Sequence, residues 1–393
     1  MKIVHIITRM IIGGAQENTL LTCKDLIRNY RDDVVLITGT QTGVEGALLD
    51  SVGDVRVEYV DSLVRAISPL CDYRAYVGIK KLLREIKPDV VHTHSAKAGI
   101  LGRLAARACG VPAIVHSIHG APFWDEQNPI TRWFYQQCER YAEKTCDAFI
   151  CVADAMTDLM VNAGVAPREK FTTIYSGMEV ETFTESAKFR DETRRQLGFS
   201  ADDIVVGKAA RLFNLKGHEF VIEAAADVLR ECPKVKFMFV GDGTLTKQHR
   251  ENIERRGLSN NFVFTGLVQP NEIPKYIAAT DIMVHTSLRE GLARVLPQAL
   301  LSGKPVISYD VDGAREVVIP NETGFLLPPK TIKPLSEAII KLATNKTLRE
   351  QLANNGKERF KKQFDHNYMT DETRKVYEKI EMFKRGTAAN KKC

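Results

Sequence analysis

The sequence predicts an α/β protein built from two parallel-sheet halves. Short apolar runs alternate with helical patterns of about 10–15 residues, the signature of βαβ units. The same strand–loop–helix unit restarts at Ile204 after a polar stretch. A chain of 393 residues also exceeds one ordinary domain, so two α/β domains are expected.

Taken in order, Lys2 to Ile7 reads as a short buried strand, followed by Gly13-Gly14 and a helical pattern through Leu26. Val34–Ile37 and Val55–Val60 read as strands, and Ala75–Ile86 as a helix. Pro88 precedes strand Val90–His92, Gly99–Ala108 is helical with Gly110 at its end, and Ala113–Ile118 is a strand. Arg132–Lys144 is a long helix, and strands Ala148–Val152 and Lys170–Tyr175 close this half. The chain turns polar and charged from Glu179 to Asp202, which puts the junction there, between domains spanning 1–180 and 200–367. Strands then follow at Ile204–Gly207, Val235–Val240, Phe262–Phe264, Asp281–His285, Val306–Ser308 and Gly324–Leu327. Helices are expected at Phe220–Leu229, Leu335–Ala343 and Thr347–Lys361, with a last one over about 368–383. Residues 384–393 are basic, poor in apolar side chains, and expected to be disordered.

Composition excludes several classes. Apolar content of 44% with 26% charged residues is that of a soluble globular protein. No apolar run approaches membrane-spanning length, and the start reads directly as strand rather than as an export signal. The eight cysteines are scattered without C-x-x-C spacing, which favours reduced thiols in the cytoplasm over a disulfide framework or zinc site. A net charge of +6 suits an anionic substrate or an anionic membrane surface. Nucleic-acid binding would need a denser basic stripe with exposed aromatics, and none is expected.

Chemistry-bearing residues collect at strand ends, where an open α/β sheet binds ligands. Glu290 sits in the turn after Asp281–His285, where a carboxylate can accept hydroxyl hydrogens from a sugar. Leu292, Val295, Leu296, Ala299 and Leu300 recur at helical spacing, so Gln298 is expected about two turns along, on nearly the same face as Glu290. Arg211 and Lys216 flank the first turn of the second half; a guanidinium fork and a lysine charge at that spacing can stabilise a diphosphate. Gly13 and Gly14 allow close backbone approach and φ > 0, and could cradle a phosphate or simply make a tight turn. His119-Gly120 follows strand Ala113–Ile118. His92, His94, Ser95 and Lys97 could line an acceptor cleft, Lys97 meeting an anion, or could serve as caps and core filling. His92-x-His94 with His116 and His119 lacks a clustered carboxylate, so no metal is expected. Asp310 and Asp312 form a D-x-D that reads as turn and N-cap residues. Trp124, Trp133, Phe134 and Tyr135, with Arg132, Arg140 and Lys144, make an aromatic-basic segment. Packing of an amphipathic helix on its own sheet is the favoured reading there, and contact with a membrane the other.

In their order, Gly13-Gly14-Ala-Gln-Glu17, His119-Gly120, Arg211-x4-Lys216, Glu290-Gly291 and Gly313-to-Glu316 resemble the motifs of retaining glycosyltransferases of family 4. The resemblance departs at Gln298, which stands where the family's E-x7-E signature has its second Glu. It implies the GT-B fold: two Rossmann-like domains facing across a cleft, an acceptor-binding first and a nucleotide-sugar-binding second, with the last helix crossing back to the first. It further implies a metal-independent hexosyltransferase without cofactor, using a nucleotide diphosphate sugar, a UDP-sugar as the expected case, and domain closure to exclude water. Arg211 and Lys216 would hold the departing diphosphate, helped by Gly13 and Gly14. Glu290, with backbone amides of Gly291, Leu292 and Ala293, would orient the sugar. His119 would contact that sugar, Gln298 the ribose, and Gly241 and Gly266 the base. His94 and Lys97 are the acceptor candidates. The implied acceptor is a glycan or lipid-linked sugar, handled in the cytoplasm or at the inner face of the plasma membrane. A nucleotide-sugar 2-epimerase or phosphorylase of the same fold, and a catalytically silent partner subunit, remain open alternatives.

Overall fold

The computed structural model describes residues 1–40, 47, 48 and 51–390, with side chains as far as Lys384. It divides into two compact units, Met1–Met178 with the chain from Asp365 onward, and Glu179–Phe364.

The first unit runs β1 Lys2–Arg9, α1 Gly14–Tyr30, β2 Asp33–Gly39, β3 Arg56–Tyr59, α2 Pro69–Ile86, β4 Val90–His94, α3 Ala96–Ala108, β5 Ala113–Ile118, α4 Pro129–Glu143, β6 Ala148–Cys151, α5 Asp154–Asn162 and β7 Phe171–Thr173. Its sheet is parallel with order β3-β2-β1-β4-β5-β6-β7. Central strands such as β1 (KIVHIITR) are nearly continuous apolar runs because helices bury both their faces. One face packs Ile3, Val90 and Val115 with residues of α1, and the other packs Val4, Ile6 and Val91 with α2 and α3. The strand order reverses between β1 and β4.

The second unit contains α6 Val180–Thr184, α7 Arg190–Gln196, β8 Ile204–Ala209, α8 His218–Glu231, β9 Val235–Val240, α9 Thr246–Arg255, β10 Phe262–Phe264, α10 Ile273–Ala279, β11 Ile282–His285, α11 Val295–Leu301, β12 Val306–Tyr309, β13 Gly324–Leu327, α12 Lys333–Thr344 and α13 Lys346–Phe360. Its parallel sheet has order β10-β9-β8-β11-β12-β13, with the reversal between β8 and β11. The last helix, α14 His366–Asn390, returns to the first unit. Tyr377 hydrogen-bonds His92 there at 2.5 Å, and His366 meets Asp25 of α1 at 2.6 Å. Among the described residues no helix is long and apolar enough to cross a membrane.

Three expectations need correction. The stretch 179–202, read as a junction, belongs to the second unit: Arg190 and Arg194 both pair with Asp281, at 2.6 and 3.1 Å, and Asp281 also accepts from the Val205 N–H at 2.8 Å. Two of the charges in that stretch, Arg190 and Arg194, anchor α7. Residues 384–390, read as disordered tail, continue α14; Lys384, Arg385, Ala388 and Ala389 are good helix formers and no proline stops them. Residues 391–393 lie outside the described residues. The helix after Glu290 starts only at Val295, so Glu290 lies in a loop and shares no helix face with Gln298.

Burial alone would raise the Asp281 carboxyl, but Arg190, the Val205 N–H and Arg194 hold it below its usual range. Asp281→Ala strands two arginines, one of them buried. It should cost about 3 kcal/mol in urea unfolding, whereas a cost below about 1 kcal/mol would mean that residues 179–202 do act as a linker.

Candidate active site

In the second unit, the loops leaving β8, β9, β11 and β12 at the sheet's carboxyl edge are stitched to one another. Leu215 accepts from the Leu288 N–H at 2.8 Å, Gly291 from the Gly313 N–H at 3.0 Å, and Asp242 from the Leu212 N–H at 3.0 Å, all on backbone carbonyls. The Thr286 hydroxyl donates to the Gly217 carbonyl at 2.6 Å. Gly217 has φ +70, and a Cβ there would lie 1.9 Å from the Thr286 oxygen, so no side chain fits. Leu215 is left-handed as well, at φ +68, a conformation costing roughly 1–2 kcal/mol that the stitching must hold.

That loop geometry brings Lys216 to Glu290, Nζ to Oε1 at 2.6 Å, with His285 Nε2 3.5 Å from the same oxygen. The pair stands at the reversal between β8 and β11, where such sheets bind ligands. Burial would raise the Glu290 carboxyl, but the Lys216 charge and His285 hold it well below the ordinary range. Glu290 is therefore an acceptor-only carboxylate. Its backbone N–H donates to Asp312 Oδ2 at 2.6 Å. Asp312 is thus a brace for the Glu290 loop rather than the N-cap the sequence suggested; Val311 holds the cap position, and Asp310 forks onto Arg315 at 2.7 and 3.0 Å.

Arg211 is exposed on the same loop, its guanidinium 5.3 Å from the centre of the Phe213 ring. Leu292 and Ala293 are buried in the loop before α11, and Gln298 is buried on α11. Gly241 and Gly266 meet one another, the Gly241 N–H donating to the Gly266 carbonyl at 3.1 Å. Gly241 has φ +131 and a Cβ there would meet the Ala210 oxygen at 2.4 Å. Sequence reasoning missed Lys208, His285 and the role of Asp312. Lys208 is buried on β8 with no hydrogen-bond partner for Nζ among the described residues. Burial, then the neighbouring Lys216 charge, push it down to about 7. A lysine in the otherwise apolar run Ile204-Val-Val-Gly-Lys-Ala209 was the available signal.

In the first unit, Gly13 is the N-cap of α1 with extended backbone at φ 174, and neither Gly13 nor Gly14 is left-handed. The glycine pair therefore makes no left-handed turn, and no side-chain cap closes the start of the 17-residue α1. His94 is fully buried, its Nε2 3.0 Å from His5 Nδ1 and its Nδ1 3.0 Å from His119 Nε2. His94 thus has no surface of its own to offer an acceptor. Lys97 pairs with Asp72 at 2.5 Å and donates to the Ala66 carbonyl, so its charge is already engaged. Ser95, between them, sits at φ +61, ψ 158, a region that is nearly Gly-only and costs roughly 1–3 kcal/mol. Its hydroxyl is held by Thr8 at 2.8 Å.

Among the described residues, His5, His92 and His94 are the group whose ligand atoms come within 4.8 Å of one another. His92 has both ring nitrogens engaged, Nδ1 by Tyr377 at 2.5 Å and Nε2 by Ser117 at 2.8 Å. No carboxylate joins the group among those residues, so a dication would be buried uncompensated.

The helix α4 is inverted relative to expectation. Its buried residues are Glu139 and Ala142, with Glu139 paired to fully buried Arg103 at 2.7 Å. Ile130, Trp133 and Tyr141 are 78%, 61% and 62% exposed. The aromatic side does not pack on its own sheet.

Comparison with known proteins covers both units. Residues 13–177 match the glycosyl transferase 4-like domain and residues 189–359 match the glycosyl transferases group 1. The chain is 30% identical over 351 residues to UDP-Gal:alpha-D-GlcNAc-diphosphoundecaprenol alpha-1,3-galactosyltransferase of Escherichia coli, which covers 88% of this chain and 89% of that protein. The crystal structure of Alr3699/HepE of Anabaena in complex with UDP matches with a TM-score of 0.80 at 25% identity, covering 96% of this chain and 100% of that one. Its complex with UDP-glucose gives 0.79 at 26% identity, covering 96% and 100%.

Burial, opposed by the Glu290 N–H but reinforced by the Glu290 charge, pushes the Asp312 carboxyl up to about 6. Raised above its unfolded value, that carboxyl destabilises the fold while ionised, and the penalty is relieved as pH falls through about 6. Asp312→Asn keeps an acceptor for the Glu290 N–H and tolerates the left-handed φ of +48. In thermal melts it should be more stable than the parent at pH 8, by on the order of 1 kcal/mol after allowance for partial exposure. That advantage should shrink below pH 6; a constant difference across pH would count against the ionised brace.

Proposed function

The chain belongs to the group 1 glycosyl transferases, and from that membership we propose that it moves a hexose from a UDP-sugar, with retention, onto a hydroxyl of a lipid-linked or surface glycan. The observation that carries this reading is the 2.6 Å contact of Lys216 with Glu290 at the reversal of the second sheet. Lys216 has three donors, so it can keep Glu290 and still face a phosphate. With Arg211 it stabilises the charge that grows on the diphosphate as the glycosidic bond breaks. Ionised Glu290 accepts from sugar hydroxyls, and amides of Gly291 to Ala293 complete that hold. Gly241 and Gly266 shape the base position, Gln298 takes the ribose, and Gly13-Gly14 and His119 are further donor contacts in this reading. The acceptor hydroxyl attacks the anomeric carbon on the face the diphosphate leaves, and its proton passes to the departing phosphate oxygen. Neither a protein nucleophile nor a metal is required. The UDP of the HepE complexes and the UDP-Gal of the Escherichia coli relative support the choice of donor.

Exposed Ile130, Trp133 and Tyr141 on α4, flanked by Arg132, Arg140 and Lys144, favour a peripheral contact with an anionic lipid surface. The Arg103–Glu139 pair holds the helix from its other side.

Donor screening by mass spectrometry, with sugar release as readout, should single out a UDP-sugar. Arg211→Ala and Lys216→Ala should each lower kcat by about 10²–10³-fold and weaken UDP in calorimetry. Conversion of the donor to an isomeric nucleotide sugar without acceptor would replace this reading with an epimerase, and UDP binding indifferent to Arg211→Ala with no sugar release would indicate a silent subunit. In a separate experiment, vesicles rich in phosphatidylglycerol should retain the protein in flotation, while Trp133→Ser with Ile130→Ser should release it. Equal retention of the double variant would exclude α4 as the contact.

A further inference from the structure

A continuous chain of imidazoles runs from the middle of the first sheet to its carboxyl edge. His5 on β1 meets His94 at the end of β4, Nδ1 to Nε2, and His94 meets His119 just after β5, Nδ1 to Nε2, each at 3.0 Å. The rings are stacked, with centroids 5.3 Å apart in both pairs and interplanar angles of 14° and 26°. Parallel pairing of β1, β4 and β5 sets this up, because His5 stands opposite His92 and His94 opposite Ser117. Residues two apart on a strand share a face, so His94 joins His92 and His5 on the side covered by Tyr377.

We propose that His94, backed by His5, is a positioning residue that holds His119 in the tautomer protonated on Nδ1, making it a hydrogen-bond donor at the sheet edge. This rests on the reading above that His119 contacts the donor sugar. Burial drives His5 down to about 3 and His94 well below the usual histidine range, so both rings are neutral. A neutral imidazole has one N–H and one lone pair, which leaves the chain two registers. If every proton points inward, His5 Nε2 carries a hydrogen; if every proton points outward, it carries only a lone pair. His5 Nε2 is buried with no hydrogen-bond partner among the described residues. His92 cannot help, since its own nitrogens are engaged by Tyr377 and Ser117. A stranded buried N–H is rarer and less tolerated than an under-used acceptor. The outward register therefore wins: His5 Nδ1–H donates to His94, and His94 Nδ1–H donates to His119 Nε2. With Nε2 accepting from His94, neutral His119 carries its proton on Nδ1.

The test is the nitrogen spectrum of the full chain labelled with 15N-histidine, the His119 signals being assigned by their loss in His119→Gln. In the parent protein His119 Nε2 should read as unprotonated and Nδ1 as protonated; the opposite pattern overturns the proposal without any variant at His94. His94→Leu should let His119 relax toward the Nε2-protonated form favoured by free histidine. The same variant should lower kcat about tenfold, the worth of one hydrogen bond, with KM little changed. His94→Asn, whose amide nitrogen can stand near the Nδ1 position, should restore both. An unchanged His119 tautomer in His94→Leu, shown folded by its melt, overturns the relay. A shifted tautomer with unchanged transfer upholds the relay and instead removes His119 from the sugar contact.

Discussion

The second unit depends on a single ionised carboxylate kept beside a lysine where the strand order reverses. In the proposed role Glu290 acts as a carboxylate, and burial works against that charge. Lys216 supplies the opposing charge at 2.6 Å, and His285 lies within reach of the same oxygen. The loop must also be stiff, because a Coulombic gain at this distance is lost if either side chain swings away. Stiffness comes from the backbone: left-handed Leu215 and Gly217, the Thr286 hydroxyl on Gly217, and Asp312 on the Glu290 N–H. Each of these carries its own small energetic cost, and the apolar core beneath, Val206, Phe237, Phe239 and Ile282 among it, offsets them.

The first unit solves a different problem. Its central strands carry polar rings where parallel strands ordinarily carry aliphatic ones. They are tolerated because nearly every nitrogen has a partner: His92 takes Tyr377 and Ser117, His94 takes His5 and His119, and His116 takes Thr93 on the opposite face. The returning helix α14 is part of that accounting, since Tyr377 closes the seam and the His366–Asp25 contact seats the helix on α1. The same burial that makes the rings expensive keeps them neutral, which is what lets them transmit a proton arrangement rather than a charge.

A recurrent feature of the molecule is that charge marks anchoring where composition suggests solvent. Arg190 and Arg194 seat α7 of the second unit on Asp281, and Arg103 of α3 seats α4 through Glu139. In α4 this inverts the helix, leaving its aromatic residues outside. An arginine fork can satisfy several acceptors at once, so one such residue can replace an apolar stripe as the means of attachment.

Much of the architecture was legible in the chain itself. Alternating apolar runs and helical periods located the strands and most helices, because local spacing marks where each kind of element runs. The placement of Gly13, Arg211, Lys216 and Glu290 after strands followed from the same pattern. What spacing could not reveal was partnership across long sequence separations. That Lys216 meets Glu290, that Asp312 holds its backbone, that His94 touches His5 and His119 rather than solvent, and that α4 faces outward all depend on strand order and register. Periodicity reports how a residue stands on its own element. Only the packed sheets determine which other element lies opposite it, and therefore which charges and protons it shares.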